Sequence, residues 1–452
     1  MYFLYSILYG VGVALLLPWF LFKAARHGRY AAGFLERARG LPKLEAGGRP
    51  VVWLHCVSVG ETQAARPLAR ALLEAHPGHA LVVSTTTATG QEVAREAFKG
   101  QAAQVFYFPF DWVWSVRRAL RAVNPAAVLL METELWPHFS RECRRRGVSV
   151  ALVNGRISEK SFRRYKLIRP FIRRVLSDLS LAAMQTEADA ERLFALGLAP
   201  ERAHVTGNVK FDIEEAAALP LTEELRERFG LVNGRPLVVA ASTHAPEERV
   251  VLEAFKLLNS GARRARLLVA PRKPARFNEV AALLEASGLS WARRKAAPRE
   301  SDRDCDVILL DSIGELRAVY PLAEVVFVGG SIARVGGHNV LEPAVDARAV
   351  VTGPHTSNFK SIVAALLERD AVVQLPDAQE PQAAARELAD ALRRLLDDEV
   401  TRRRTGESAR AVLEENRGAT ARTLELLAPL LKQTSNVKSQ VLVKEKTVAS
   451  DI

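Results

Sequence analysis

Short apolar runs alternate with amphipathic stretches from residue 50 onward, and this alternation limits the chain to few folds. Such runs are typical of strands that are buried on both faces of a parallel sheet. The stretches between them have the period and length of helices, which makes repeated βα units. The first series of runs spans residues 50–59, 80–87, 126–133, 149–155 and 181–186, and the second spans 236–243, 265–272, 306–312, 324–330 and 348–354. With a break at 211–222, the sequence predicts two doubly wound α/β domains with a cleft between them.

The first 22 residues carry no charged side chain. At about 1.5 Å per residue, a helix of this length could just cross a hydrocarbon core of about 30 Å. Tyrosines and a tryptophan lie towards its ends, as interfacial aromatic side chains do, and several Lys/Arg residues follow it. The sequence therefore predicts a membrane anchor over residues 1–22, spanning or monotopic, with the remaining chain on the cytoplasmic side.

The chain has a formal net charge of +12, and the excess is concentrated in one segment. Residues 141–174 contain twelve Lys/Arg side chains and two acidic ones. This segment is either a solvated helix face or a surface that meets phosphates, which arginine binds well. Because no DNA- or RNA-binding motif accompanies it, we expect an anionic lipid or a phosphorylated substrate rather than nucleic acid. Three scattered cysteines without a CxxC pair argue against a disulfide framework or a zinc site.

Glycines and a glutamate mark the end of one strand in the second series. The apolar run within 325–330 ends in a glycine pair, and a second pair, Gly336 and Gly337, precedes Asn339, a favourable helix N-cap. Glu342 falls in the first turn of the helix that follows. Helix N-termini attract anions, and bare glycine backbone allows a phosphate to approach closely. Glu342 could instead only complement the helix dipole, so a ligand site and a tight turn both remain open.

Acidic side chains follow two strands of the first series. Glu61 comes directly after the first strand, at the start of an amphipathic helix, and Glu132 and Glu134 end another strand. A carboxylate at such a position can serve as a general base if burial raises its pKa. The alternative for Glu61 is again a residue that complements the helix dipole. Residues i and i+2 share a strand face, so Glu132 and Glu134 could point the same way, unless the strand has already ended.

Basic and hydroxyl side chains follow the remaining strands. Lys210 ends the first series, and Arg272 and Lys273 follow the second strand of the second series. The first strand of that series is followed by Ser242, Thr243 and His244. Such groups bind phosphate or carboxylate. No metal-ligand spacing, G-x-S-x-G or Walker loop is present. The residue types favour two α/β domains that bind an anionic, nucleotide-linked ligand, and a metal-free glycosyl transfer fits them.

Eight motifs follow one another along the chain: SVGETQAARPL, METELWPH, GNVKFD, ASTHAPEE, APRKPARF, DSIGELRAVYPLAEVVFVGGS, GGHNVLEPA and TGPHTSNF. In this order they resemble the motifs of the 3-deoxy-D-manno-octulosonic acid (Kdo) transferases, glycosyltransferase family 30, over roughly residues 1–430. The resemblance implies a GT-B fold, with two Rossmann-like domains and an N-terminal membrane-anchor helix. It also implies transfer of Kdo from CMP-Kdo to a lipid A precursor (lipid IVA), with inversion and without a metal or other cofactor, during lipopolysaccharide synthesis at the cytoplasmic face of the bacterial inner membrane.

The resemblance also implies roles for individual residues. Glu61 is similar to the general base of the family, and Glu132 or Glu134 supports the acceptor side. On the donor side, Glu342 is similar to the carboxylate that holds the CMP ribose. The further donor-binding residues are Lys210, Ser242, Thr243, His244, Arg272, Lys273, Gly336, Gly337 and Asn339.

The expected organisation is an anchor at 1–22, an acceptor-binding domain at 23–212, a CMP-sugar-binding domain at 213–432 and a disordered tail at 433–452. The expected partners are CMP-Kdo, the lipid A precursor and an anionic membrane surface. Two alternatives are another GT-B enzyme that uses a UDP-sugar and a non-catalytic, membrane-tethered protein that binds glycolipid.

Overall fold

The computed structural model describes residues 1–26, 33–34, 36–37, 44, 46–213, 219–231, 234–260 and 265–432. The chain divides into two compact units. The first unit comprises the described residues of Met1–Asp212 together with those from Arg417 onward, and the second comprises those of Ile213–Asn416. The tail that we predicted to be disordered, 433–452, lies outside the described residues.

The first unit contains a parallel seven-stranded sheet in the order β3-β2-β1-β4-β5-β6-β7. The strands are β1 Val51–His55, β2 Ala80–Thr85, β3 Ala102–Tyr107, β4 Ala127–Met131, β5 Ser149–Gly155, β6 Leu181–Met184 and β7 Ala203–Val205. Trp53 on β1 is opposite Val82 on β2 and Val128 on β4, and it is completely buried. The strand order reverses between β1 and β4, and ligands of doubly wound folds bind beyond the carboxyl ends of strands at such a point.

The second unit has the same architecture, with strand order β10-β11-β9-β8-β12-β13-β14. Its strands are β8 Leu237–Thr243, β9 Arg266–Pro271, β10 Trp291–Arg293, β11 Val307–Leu309, β12 Val325–Val328, β13 Ala349–Thr352 and β14 Val373–Gln374. β8 pairs with β9 on one side and with β12 on the other, and all pairs are parallel. The order reverses between β8 and β12, so the loops after these two strands form the expected ligand-binding edge of this unit.

Helices cover both faces of each sheet, as the length of the amphipathic stretches predicts. They are α1 Tyr2–Arg26, α2 Val59–Ala75, α3 Ala88–Ala97, α4 Val113–Val123, α5 Pro137–Arg145, α6 Glu159–Leu167, α7 Arg169–Leu176, α8 Glu187–Leu196, α9 Leu219–Arg228, α10 Glu247–Leu258, α11 Phe277–Glu285, α12 Leu316–Val319, α13 Leu341–Ala344, α14 Lys360–Leu367, α15 Pro381–Asp397, α16 Glu399–Asn416 and α17 419–432. The prediction of two parallel-sheet α/β domains is confirmed.

The last helix, α17, differs from the sequence-based organisation, which placed residues up to 432 in the second domain. The chain returns to the first unit at residue 417. The Asp212 carboxylate accepts hydrogen bonds from the backbone N–H groups of Gly418, at 2.7 Å, and Thr420, at 2.5 Å. Leu427 and Leu431 then pack into the apolar core beside β1. The apolar face of α17 is therefore buried by the first unit.

The N-terminal helix α1 packs on the first unit through polar contacts. The Tyr2 hydroxyl donates a hydrogen bond to Asp178 and the Tyr5 hydroxyl donates one to Asp111, both at 2.8 Å. The Ser6 hydroxyl lies 2.7 Å from His138 Nε2. Within the described residues, no helix combines the length and the apolar character that a membrane crossing requires, so a spanning anchor over residues 1–22 is not shown.

Candidate active site

Glu61 lies in the first turn of α2, just beyond the end of β1. Ser58 is the N-cap of this helix, and its hydroxyl accepts a hydrogen bond from the Glu61 backbone N–H at 3.4 Å. The Glu61 carboxylate accepts hydrogen bonds from the Val57 backbone N–H at 2.7 Å and from the Ser58 hydroxyl at 3.0 Å. This arrangement differs from a capping box in that the carboxylate accepts the N–H of Val57, the residue before the N-cap, rather than that of Ser58 itself. Glu61 therefore stabilises the start of the helix, and its carboxylate is held in one position.

Burial gives the Glu61 carboxyl unusual acid–base properties. The side chain is 8% exposed. Burial, assisted by the charge of Glu132, raises the pKa of Glu61 to about 7. Hydrogen bonds from Val57 and Ser58 and the charge of Lys210 oppose this rise. A carboxyl whose pKa lies near neutrality is ionised often enough, and basic enough, to remove a proton from a hydroxyl. Glu61 thus has the properties of a general base in addition to its capping role.

Glu132 is held by two cations at the end of β4. Its carboxylate accepts hydrogen bonds from Arg156 Nε at 2.7 Å and from Lys210 Nζ at 3.1 Å. The strand ends at Met131, and Glu132 has a φ of 55°. The backbone therefore turns at Glu132, and the spacing rule for a shared strand face does not apply to Glu132 and Glu134. Both oxygens of the buried Glu132 carboxylate serve this ion-pair network.

Glu134 has no cationic partner among the described residues. Burial is the main cause that raises the pKa of Glu134 to about 7, and the charge of Glu61 is the second. Charges shift a pKa appreciably only over short distances, so the two carboxyls belong to one cluster. Of the two acidic side chains that follow β4, Glu134 is the one left available for a substrate.

The last residues of β8 hold their polar side chains in internal contacts. Ser242 and Thr243 belong to the strand rather than following it, and Ser242 has a φ of 55° where the pairing register with β9 shifts. The Thr243 hydroxyl donates a hydrogen bond to Glu248 at 3.0 Å, and Glu248 accepts another from Arg276 at 2.5 Å. Arg276 also pairs with Glu279 at 2.8 Å. Thr243 and Arg276 therefore brace the loops after β8 and β9 against each other.

Arg272 and Lys273 follow β9 and keep their side chains exposed. The Arg272 backbone N–H donates a hydrogen bond to the Thr243 carbonyl at 3.0 Å, which brings the ends of β9 and β8 together. Neither cationic side chain forms an ion pair or hydrogen bond with a described residue. Their charges lower the pKa of His244, after the larger effect of burial. They are two cations at this edge that an anionic ligand can reach.

Glu247, at the start of α10, closes the loop after β12. Its completely buried carboxylate accepts hydrogen bonds from the backbone N–H groups of His244, Gly330, Ser331, Ile332 and Ala333, at 2.8 to 3.0 Å. A Cβ on Gly329 would lie 2.8 Å from the same carboxylate. The sequence leaves both a ligand site and a tight turn open for this stretch. The amides of residues 330–333 favour the tight turn, because a carboxylate of the chain already occupies them.

The second glycine pair, Gly336 and Gly337, also has internal contacts. Their φ angles are 103° and 79°, which favour glycine. A Cβ on Gly336 would lie 2.7 Å from both Asn358 Nδ2 and Ser357 Oγ. The Asn358 amide donates to the carbonyls of Val335 at 3.2 Å and Gly337 at 3.4 Å. The TGPHTSNF segment therefore holds the glycine loop in place, which explains both glycines without a ligand.

Glu342 lies in α13, a single helical turn. It accepts hydrogen bonds from the Tyr320 hydroxyl at 3.3 Å and from Asn339 Nδ2 at 3.4 Å. The Asn339 side chain also accepts the Leu341 backbone N–H at 3.1 Å. The N-cap of α13 is nevertheless Val340, not Asn339 as the sequence suggested, because the helix begins only at Leu341. Burial raises the pKa of Glu342, and the charges of Arg317 and Arg272 oppose this rise. The two long hydrogen bonds leave the carboxylate with acceptor capacity for ligand hydroxyl groups.

The predicted site residues thus fall into two groups. Glu61, Glu132, Glu134 and Lys210 lie together at the carboxyl ends of the first sheet. The second sheet carries the others at its own carboxyl ends: Ser242, Thr243, His244, Arg272, Lys273, Gly336, Gly337, Asn339 and Glu342. Within the described part of the chain, no group of three His, Cys, Asp or Glu side chains could hold a metal ion.

Comparison with known proteins gives the family. Residues 26–213 match the family model for 3-Deoxy-D-manno-octulosonic-acid transferase (kdotransferase). The 3-deoxy-D-manno-octulosonic acid transferase of Haemophilus influenzae is 36% identical over 385 residues, which are 84% of this chain and 87% of that protein. The Bordetella pertussis transferase of the same name is 37% identical over 418 residues, 90% of this chain and 92% of that protein. The chain belongs to this family. The resemblance that its eight motifs indicated is confirmed, and the chain is a Kdo-transferring glycosyltransferase of lipopolysaccharide synthesis.

Solved structures agree with the fold. A putative UDP-N-acetylglucosamine 2-epimerase from Listeria monocytogenes is 16% identical with a TM-score of 0.54, and covers 85% of this chain and 97% of its own. A glycosyltransferase from Rickettsia africae is 12% identical with a TM-score of 0.51, and covers 85% of this chain and 99% of its own. The C-terminal CMP-Kdo binding domain of WaaA from Acinetobacter baumannii is 35% identical over 44% of this chain, with a TM-score of 0.39.

Sequence reasoning missed three residues of these Kdo transferase sites. Arg156 neutralises Glu132, Glu247 holds the loop after β12, and His338 lies against His244. Arg156 lies in the arginine-rich segment, where nothing distinguishes it from its neighbours. The other two stand inside recognised motifs, so their residue types were a signal. Their contacts join positions about 90 residues apart, and a linear pattern does not reveal such pairs.

Lys210 should set the pH dependence of this Kdo transferase. Its charge lowers the pKa of Glu61. In Lys210→Met we therefore expect the Glu61 pKa to rise, so that a larger fraction of this carboxyl is protonated at pH 7. The acid limb of the kcat/KM profile should move to higher pH, with activity several-fold lower at pH 7 and largely restored above pH 8. Lys256→Met, on the exposed face of α10, is the matched control. An unshifted acid limb would contradict the coupling.

Proposed function

We propose that this chain transfers Kdo from CMP-Kdo to a lipid A precursor, lipid IVA, at the cytoplasmic face of the inner membrane. In this reaction the Glu61 carboxylate takes the proton of an acceptor hydroxyl. The hydroxyl oxygen bonds to the anomeric carbon of Kdo while the bond from that carbon to the phosphate oxygen breaks, and CMP leaves with the electron pair. A single displacement of this kind inverts the anomeric centre, and we propose that it needs no metal.

The observation that carries this proposal is the buried carboxyl of Glu61, whose pKa is raised to about 7 at the carboxyl edge of the first sheet. Glu132 is neutralised by Arg156 and Lys210, so it is poorly suited to remove a proton. This difference supports Glu61 as the base. It also favours Glu134 over Glu132 as the side chain that orients the acceptor, a choice that the sequence leaves open.

On the donor side, Glu342 has spare acceptor capacity, which suits the two hydroxyls of a ribose. Arg272 and Lys273 are cations without a carboxylate partner among the described residues, and they suit the phosphate and the Kdo carboxylate of CMP-Kdo. Ser242, Thr243, Gly336 and Gly337 shape the surrounding loops through the contacts described above. We propose that the second unit binds the donor through Glu342, Arg272 and Lys273.

The exposed face of α1 supports attachment to a membrane surface. While Tyr2, Tyr5 and Ser6 face the first unit, Phe3, Leu4 and Leu8 are 79%, 58% and 62% exposed. An exposed apolar helix face beside a strongly basic segment is typical of a helix that lies in the membrane interface. We propose that the chain is monotopic through α1 and that residues 141–174 attract anionic lipid.

This attachment predicts the behaviour of one double variant. Leu4→Asp with Leu8→Asp should weaken binding to vesicles of phosphatidylethanolamine and phosphatidylglycerol by about tenfold or more, because two apolar side chains are lost from the lipid contact. Co-sedimentation of the full chain measures the binding. Val400→Asp, at a position 77% exposed in the second unit, is the control and should bind as the wild type does. Equal binding of both variants would exclude α1 as the attachment site.

Mass spectrometry tests the reaction. CMP-Kdo is made beforehand, and the magnesium used to make it is then chelated. The purified protein and tetraacylated lipid A precursor are incubated with this donor. A mass gain of one or more Kdo units supports the proposal and counts the additions. No gain under conditions where the Haemophilus influenzae relative is active would exclude this acceptor and donor pair. UDP-sugars would then be tested, since the fold is shared with UDP-N-acetylglucosamine 2-epimerases.

A further inference from the structure

Two histidines form a close pair between the loops that follow β8 and β12. His244 Nε2 and His338 Nε2 lie 2.8 Å apart. The two rings are nearly parallel, at 8°, with centroids separated by 5.0 Å. In a hydrogen bond between two imidazoles, one nitrogen donates its N–H and the other accepts with a lone pair. The geometry therefore allows the pair to be neutral or to carry one proton, and it opposes a doubly charged state.

The charged groups around the pair leave a net positive environment. Arg272, Lys273 and Arg276 face it from the loop after β9, and Glu248 faces it from α10. Arg276 is already paired with Glu248 and Glu279. The charge of Glu247, which accepts the His244 backbone N–H, is spread over five backbone amides. Neither Arg272 nor Lys273 forms an ion pair with a described residue, although the charge of Arg272 also acts on the buried carboxyl of Glu342.

Burial, assisted by these charges, keeps the pair neutral in the free protein. Burial lowers the pKa of His338 to about 3, with Arg272 and His244 adding to the effect. Burial also lowers the pKa of His244, with Lys273 and Arg272 contributing and Glu248 opposing. At pH 7 both rings are therefore uncharged. The neutral imidazole pair lies beside Arg272 and Lys273, two cations that have no ion-pair partner in the described part of the chain. An anion that binds to them would therefore change the protonation of the pair.

We propose that the His244–His338 pair takes up one proton when a phosphate or carboxylate group binds beside Arg272 and Lys273, and that the charged pair then stabilises the leaving phosphate. This inference rests on the proposed donor, CMP-Kdo. The bound anion offsets the charges of Arg272 and Lys273, so protonation of the pair becomes favourable. A proton from solvent enters with the donor.

The charged pair has a defined part in the transfer. When the bond between the anomeric carbon and the phosphate oxygen breaks, that oxygen gains negative charge, and an imidazolium N–H stabilises it by a charge-assisted hydrogen bond. The pair keeps its proton in this step, while the proton of the acceptor hydroxyl goes to Glu61. When CMP leaves, no anion offsets the charges of Arg272 and Lys273 any longer, and the pair releases its proton to solvent.

A purely structural role of the pair makes a different prediction. A Cβ on Gly330 would lie 2.8 Å from His338 Cδ2, so His338 also packs tightly under the loop after β12. If packing were its whole role, ligand binding would leave its protonation unchanged. Proton uptake therefore separates the two roles, whereas loss of activity in a variant would not.

Isothermal titration calorimetry of the full-length wild-type protein with CMP at pH 7.5 measures this uptake. Titrations in PIPES and in Tris, which differ in ionisation enthalpy, give the number of protons bound per CMP. We expect between about half and one proton to be taken up per CMP. The affinity for CMP should therefore weaken with rising pH, by at most about tenfold per pH unit. Cytidine and free Kdo are titrated in parallel, because uptake with CMP and not with cytidine assigns the effect to the phosphate, and uptake with Kdo assigns it to the carboxylate.

Variants locate the proton. His338→Gln should bind CMP with about half to one proton fewer than the wild type, since any proton released by the CMP phosphate itself is common to both proteins. His204→Gln, at an exposed position on β7 in the first unit, should match the wild type. Circular dichroism verifies that each variant is folded, and His244→Gln provides a second variant of the pair. Equal uptake in the wild type and both pair variants would overturn the inference. Buffer-independent binding of CMP would overturn it and leave the proposed donor intact, and absence of CMP binding would overturn both.

Discussion

Replacement of Glu61 by glutamine should lower kcat/KM by about 10³-fold, since general-base catalysis typically contributes about 10² to 10⁴. The amide is nearly isosteric and can still accept a hydrogen bond from Val57 N–H or Ser58, so the start of α2 should be preserved. The amide cannot take a proton from a hydroxyl. The loss should therefore appear in kcat, with the affinity for CMP unchanged because that ligand is assigned to the second unit.

The pH profile distinguishes a base from a helix cap. Because burial raises the Glu61 pKa to about 7, the base is protonated below that pH, and wild-type kcat/KM should fall about tenfold per unit on the acid side. The pH profile of the residual Glu61→Gln activity should lack this acid limb, the fall of kcat/KM below pH 7. Glu74→Gln, on the exposed face of the same helix, is the matched control and should retain both the rate and the limb. A Glu61→Gln enzyme with the wild-type rate would exclude Glu61 as the base.

The central strands of both sheets could be predicted because they are buried on both faces. β1 and β8 are continuous apolar runs, and the predicted runs 50–59 and 236–243 contain them. The edge strands were missed for a physical reason. β3 is mostly only half-buried, and β14 has only two residues. An edge strand is defined by its hydrogen bonds to a neighbour, which a local pattern does not contain.

The same limit applies to the two groups of site residues. Glu61 could be predicted because a carboxylate directly after a buried strand is a local feature. The distinction between Glu132 and Glu134 could not, since it depends on Arg156, 24 residues further on, and on Lys210, 78 residues further on. The two glycine pairs show a different limit. The need for a residue without a side chain could be predicted there, but the groups that make it necessary could not. Glu247 approaches Gly329 and Asn358 approaches Gly336, so both groups belong to the chain itself.

Replacement of Glu247 by alanine should destabilise the second unit by about 4 kcal/mol or more, because a buried donor left without an acceptor costs about 1–3 kcal/mol. Five backbone N–H groups depend on this one carboxylate. They come from the turn after β8 and from residues 330–333, so the two loops lose their common attachment together. Glu247→Gln should be intermediate, since one amide oxygen can still accept while the amide nitrogen faces donors. Urea unfolding of the full chain, followed by far-ultraviolet circular dichroism, measures the change.

Hydrogen exchange separates the effect on the loop from a general loss of stability. In Glu247→Gln under native conditions, the amides of residues 330–333 should exchange faster than in the wild type, while those of β1 and β4 in the first unit should be unchanged. As the amides of residues 330–333 lose protection from exchange, the affinity for CMP should also fall, because the same loops position Arg272 and the His244–His338 pair. Glu253→Ala, at an exposed position on α10, is the matched control and should leave stability and exchange unaltered. If Glu247→Ala and Glu253→Ala unfold at the same urea concentration, the carboxylate does not hold these loops. The His pair would then need another explanation for its fixed geometry.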